Sequence, residues 1–152
     1  MIVKVTGRFP ILNIQSMVRE FSKRRNLRLA VDVLDNPIYR MLHLKWSSRG
    51  CRTIIYAVTV EFYEEYLYGR YKEIRGYDGG FWGAEGLMRS VWEQTKDMAG
   101  VYPRFRTEPR LSGYAGALNC TWITANNYDG LLAMVKRGIR QICRWVLPFL
   151  WL

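Results

Sequence analysis

The densest chemistry in this sequence lies between residues 61 and 83, "EFYEEYLYGRYKEIRGYDGGFWG", where five tyrosines, four glutamates, five glycines and a tryptophan share one stretch. Three chemistries suit that mixture. Exposed rings interleaved with glycine form a platform on which single-stranded bases stack, each stacked base contributing roughly 1 to 3 kcal/mol. Tyrosine and tryptophan also dominate protein–protein hot spots, because a rigid amphipathic ring gives contact area at little entropic cost. Finally, Glu61, Glu64, Glu65, Glu73 and Asp78 offer general acids or bases, with tyrosines to orient a polar substrate in a pocket that a subunit interface would complete. The rings expected to recognise a partner are Tyr66, Tyr68, Tyr71, Tyr77, Phe81 and Trp82.

Catalysis has the least support. There is one histidine, His43, and no nucleophile with a base partner, no Gly-x-Ser-x-Gly and no phosphate-cradling GxxxxGK[ST]. "GYDGGFWG" has glycines but no strand-to-helix phosphate fingerprint, so a loop is expected there. Cys51, Cys120 and Cys143 are widely spaced, without a CxxC pair, so neither a zinc site nor any other metal or cofactor is expected. Cys143, at an apolar helical position, is expected to pack as a small hydrophobe. Three unpaired thiols fit a reducing, cytoplasmic setting.

Charge favours a polyanion. The net +10 is segregated: residues 1–50 hold 10 Lys/Arg against 3 Asp/Glu, residues 51–100 hold 6 against 8, and residues 101–152 hold 7 against 2. Basic ends around an acidic, aromatic middle would assemble one basic surface if the fold joins them. Its expected phosphate contacts are Lys23, Arg24, Arg25 and Arg28 from "KRRNLR", and Lys136, Arg137, Arg140 and Arg144 from the last helix. The leading expectation is a small basic protein that binds single-stranded nucleic acid, RNA in the first instance. A protein-interaction module or inhibitor is the alternative, and a homo-oligomer suits either. What clusters in space discriminates them: rings beside Arg and Lys point to nucleic acid, rings beside acids to a protein partner.

Several elements must position these residues. IVKVTGRF alternates like a strand that ends at Pro10, and Asn13 is placed to cap a helix burying Ile14, Met17, Val18 and Phe21. "LRLAVDVLDNPIYRMLHLKWSS" predicts a hairpin through a DNP turn, and TIIYAVTVEF a further strand with Ile54, Tyr56, Val58, Val60 and Phe62 on one face. Residues 61–83 form an extended, partly helical excursion. Glu85–Ala99 predicts a helix stopped by Gly100, and residues 101–114 a loop carrying Arg104, Arg106 and Arg110. A last strand is expected over Gly116–Ala125. A helix from Asn127 or Asp129 to about Leu147 should follow, burying Leu131, Leu132, Val135, Ile139, Ile142 and Val146 and aligning 136, 140 and 144 on its other face.

With 49% hydrophobic and 24% charged residues the chain should fold, and 152 residues suit one domain. The expected class is α+β: a two-layer sandwich of a mainly antiparallel sheet of four to five strands with helices on one face, a decorated ferredoxin-like arrangement. No window approaches the roughly 20 apolar residues of a membrane span, and the N-terminus lacks a secretory pattern. The apolar tail 145–152, WVLPFLWL, is interrupted by Pro148; it caps the core, or it is a docking or membrane-interface foot.

Overall fold

The computed structural model describes residues 1–5, 10–34, 50–74, 83–112, 114–115, 120–121 and 131–146. The expected DNP turn and the strand through Ile38 and Trp46, the loop bearing Tyr77, Phe81 and Trp82, the caps Asn127 and Asp129, and residues 147–152 of the tail lie outside them.

The fold is α+β. Strand β1 (Ile2–Val5) leads to helix α1 (Ile14–Ser22), then β2 (Leu29–Leu34) and β3 (Gly50–Val58). Helix α2 (Val60–Tyr66), a 3-10 turn (Arg70–Glu73) and α3 (Gly83–Thr95) precede β4 (Val101–Tyr102). β5 (Tyr114–Ala115) and β6 (Cys120–Thr121) pair antiparallel, and α4 (Leu131–Val146) ends the described chain.

The main sheet has the order β1-β3-β2-β4. β3 is antiparallel to both β1 and β2, so β1–α1–β2 is a split βαβ unit with β3 between its strands, the motif behind the ferredoxin-like expectation. β4 adds parallel to β2 at the other edge. A register shift between Ala30 and Asp32 marks a bulge in the β2–β3 ladder, where Ala30 faces Ala57 but Asp32 faces Arg52.

Alternation along β2 divides the core. Leu29, Val31 and Val33 join Phe62 of α2 and Met88 and Val91 of α3 in one cluster. Ala30 turns the other way, to Met17 and Phe21 of α1 and to Phe105, whose ring meets Phe21 edge-on at 5.2 Å. Asp32 shares the parity of Ala30 and is fully buried. Helices therefore pack against the sheet from both sides.

Four expectations change. Asn13 makes no capping bond to α1; its side chain bridges strand-like backbone instead, donating to Glu108 O at 2.9 Å and accepting from Arg110 N at 2.8 Å. Val60 and Phe62 are not in a strand, because Thr59 caps α2 by accepting the Phe62 amide at 3.3 Å, and Phe62 is buried from a helix. Residues 101–114 are not all loop: Gly100, at φ +88°, receives the amides of Arg28 and Leu29 on its carbonyl and launches β4. A Cβ there would lie 1.9 Å from Asn26 O, so only glycine fits.

The fourth change concerns α4. Val135, Ile139, Ile142 and Val146, expected in the core, are 50–68% exposed, together with Met134 and Trp145. The helix is held by its polar face instead. Arg144 forms a bidentate pair with Asp32 (Nη1–Oδ1 2.9 Å, Nη2–Oδ2 3.1 Å) and donates to Phe105 O at 3.0 Å, while Gln141 donates to Arg106 O. Two consequences can be measured. Phe21→Ala should cost about 3 to 5 kcal/mol in urea unfolding, whereas Ile139→Ser should stay within about 0.5 kcal/mol of the parent; a large loss at Ile139 would mean that the stripe is core after all.

Candidate anion-binding cavity

The basic ends of the chain meet in one place. The C-terminal turn of α1, the segment 102–107 and the end of α4 line an open-mouthed cavity of about 860 Å³. Its described walls carry six cations, Lys23, Arg24, Arg25, Arg104, Arg106 and Arg144, against one carboxylate, Glu20. Tyr102 and the exposed indole of Trp145 complete it. Such a volume suits a small ligand or one end of a larger one.

Two of the cations serve the architecture. Arg24 pairs with Glu20 one helical turn earlier, donates to Arg104 O at 2.8 Å, and lies 4.4 Å from the Tyr102 ring centroid. Glu20 also accepts the backbone amides of Arg106 and Thr107, both at 2.8 Å, so one carboxylate fixes the rim. Tyr102 closes the corner by donating its hydroxyl to Arg25 O at 2.8 Å. Arg144 gives both Nη groups to Asp32 and one of them also to Phe105 O, while its buried Nε has no partner among the described residues. Burial pushes the Asp32 carboxyl up, but Arg144 and Arg52 outweigh it and hold Asp32 below the usual carboxylate range. The same pairing overrides desolvation and raises Arg144.

Arg104 is different. It is 93% buried by its 7% exposure, and among the described residues no acceptor is bonded to its guanidinium. Burial first, then the charge of Arg144, pushes it down to about 10, with Asp32 opposing. It stays charged at neutral pH; Asp32 and Glu108 act on it through space, but among the described residues no carboxylate forms an ion pair with it. Lys23, Arg25 and Arg106 line the same cavity with exposed side chains that form no ion pair among the described residues.

The structure thus joins Lys23, Arg24, Arg25 and Arg144 of the expected set and separates the others. Arg28 lies 3.7 Å from Glu65 and over the Phe62 ring, away from the cavity. Arg140 sits 3.4 Å from the buried Glu108. Arg137 is half-buried outside the cavity walls, and the side chain of Lys136 lies outside the described ones. Among the described residues none of the expected rings lines the cavity: Tyr66 packs on Phe62 at 4.7 Å, while Tyr68 and Tyr71 are 73% and 67% exposed. Sequence reading missed Glu20, Tyr102 and Trp145 as parts of a site. The signal present was the loop trio of arginines, two of which prove to be walls.

No protein-family model matches the sequence, and no curated protein or solved structure matches it either. Among the described residues no group of three or more His, Cys, Asp or Glu side chains is placed to hold a metal ion, and no helix is long and apolar enough to cross a membrane.

Removing either partner of the Asp32–Arg144 pair strands a buried charge behind the cavity. Asp32→Asn or Arg144→Met should each lower stability by about 3 to 5 kcal/mol in denaturant titration. The pH dependence has a definite sign. Because the folded carboxyl is depressed, the contribution is full above the ordinary aspartate value of 3.8 and disappears as pH falls through the lower folded value. Asp32→Asn should therefore flatten the acid limb of the stability profile; an unchanged limb would contradict the assignment.

Proposed function

We propose that the protein binds single-stranded nucleic acid, RNA in the first instance, with phosphates seated in the basic cavity and a base against Trp145. One observation carries this reading: cations from residues 23–25 and from residues 104–144, far apart in sequence, line a single cavity that also holds an exposed indole. Phosphate neutralisation supplies affinity, and a ring supplies stacking indifferent to sequence. A cytoplasmic site of action goes with this reading, and the free thiols Cys51 and Cys143 are in keeping with it.

A second reading belongs to another surface. Tyr63, Tyr68 and Tyr71 are exposed on a segment whose acids Glu61 and Glu64 outnumber its unpaired cations, Glu65 and Glu73 being paired with Arg28 and Arg70 and Lys72 lying over the Tyr71 ring; that mixed face suits a protein partner. Replacing Tyr68 and Tyr71 together by alanine should then leave stability within about 0.5 kcal/mol and nucleic-acid affinity unchanged; lost RNA binding would return these rings to the nucleic-acid site.

The direct test is fluorescence anisotropy of a labelled single-stranded oligonucleotide across a salt series. Log affinity should fall linearly with log salt, by about 0.7 per phosphate engaged, and binding should persist near physiological ionic strength. The triple replacement of Lys23, Arg25 and Arg106 by alanine should reduce that slope by about 2. An absence of binding above low salt, or an unchanged slope in the triple variant, overturns the proposal.

A further inference from the structure

We infer that the cavity takes a terminal phosphate monoester, the phosphorylated end of a strand, and that Arg104 is the group that recognises it. The inference rests on the nucleic-acid reading and narrows it to one chemical feature of the ligand.

Depth separates an end from an internal linkage. Lys23, Arg25 and Arg106 are exposed at the rim, where a phosphodiester with chain on both sides can meet them. Arg104 is buried in the wall at 7% exposure. Behind it, Arg144 is bonded to the fully buried Asp32 of β2, so the sheet closes that side and gives a strand no exit. Only a group that ends the strand enters far enough to meet Arg104.

Charge points the same way. A monoester carries about −1.5 to −2 at neutral pH, against −1 for a diester, and offers three strong acceptor oxygens. Glu20 already accepts from Arg24, and Asp32 from Arg144, so Arg104 feels Asp32 and Glu108 only through space, and its buried Nε has no partner among the described residues. A guanidinium desolvated without an anion is costly, and a charge-assisted contact to phosphate removes that cost on binding. Trp145 stands where the terminal base would follow its phosphate, since it lines the same cavity and is 66% exposed.

The experiment compares one short oligonucleotide in three forms, with a 5′-phosphate, with a 3′-phosphate and with hydroxyl at both ends, labelled internally. The parent protein should prefer a phosphorylated end by about tenfold or more, with inorganic phosphate competing for that preference. Arg104→Met should erase the preference, lowering the affinity of the phosphorylated strand far more than that of the hydroxyl-ended one, while Arg104→Lys should retain part of the preference. Equal affinities for all three forms, with steep salt dependence intact, would overturn this inference and leave nucleic-acid binding standing. Failure of every form to bind would remove both. Should Arg104→Met fail to fold, the parent still decides: its arginine Nε–H NMR resonances are titrated with inorganic phosphate. A saturable shift of the Arg104 resonance supports the inference, and a shift confined to rim arginines refutes it.

Discussion

A carboxylate buried in the middle of a strand governs this structure. Asp32 has no exposure, and its parity on β2 aims it to the same side as Ala30. An ionised carboxylate left alone there would cost several kcal/mol, so the chain must deliver a cation from elsewhere. Arg144 does so from 112 residues away, with Arg52 3.8 Å from the same carboxylate. The bidentate contact, together with the bond to Phe105 O, ties the sheet, the 102–107 segment and the last helix into one unit. Glu20 and Tyr102 then tie the end of α1 to the same segment.

Much of the framework was legible because it follows local rules. Met17 and Phe21 recur at helical spacing and are buried, Val91 lies in the expected helix, and β2 alternates as its residue pattern requires. What was not legible depends on contacts between distant residues. Val101 and Tyr102 are too few to show a period, and they become a strand only because the Gly100 carbonyl meets the start of β2. Asn13 carries a capping side chain, but Glu108 and Arg110 supply better partners, and no local window reveals them. Thr59 did carry a local signal, with an acid in the first turn of the helix it starts; the strand periodicity through Phe62 obscured it.

The site divides in the same manner. Lys23, Arg24, Arg25 and Arg144, from the two basic ends of the chain, line one cavity, because segregated charge survives folding whenever the ends converge. Sequence could not tell which arginines are free. Arg140 and Arg144 look alike on a helical wheel, yet each faces a buried carboxylate, Glu108 and Asp32, whose burial is a tertiary fact. Arg104, in a loop with no periodicity, gave no sign of being desolvated. The tyrosine-rich segment attracted notice by composition, but of its described rings Tyr66 packs locally and Tyr68 and Tyr71 are exposed away from the cavity.

The orientation of α4 follows from the same constraint and couples the fold to the site. The amphipathic pattern of this helix would ordinarily turn Val135, Ile139 and Ile142 inward. Desolvated Asp32 competes with that tendency: leaving it unpaired costs about 3 to 5 kcal/mol, of the same order as exposing two or three aliphatic side chains that are partly covered even here. Two further polar contacts, Arg140 with Glu108 and Gln141 with Arg106 O, lie on the same side of the helix and add to the bias. Once Arg144 points to the sheet, the next residue must turn roughly 100° around the helix, which sets Trp145 at the cavity mouth. The interaction that stabilises the buried carboxylate is therefore also what places an aromatic ring beside the unpaired cations, and the apolar stripe of α4 faces outward as a consequence.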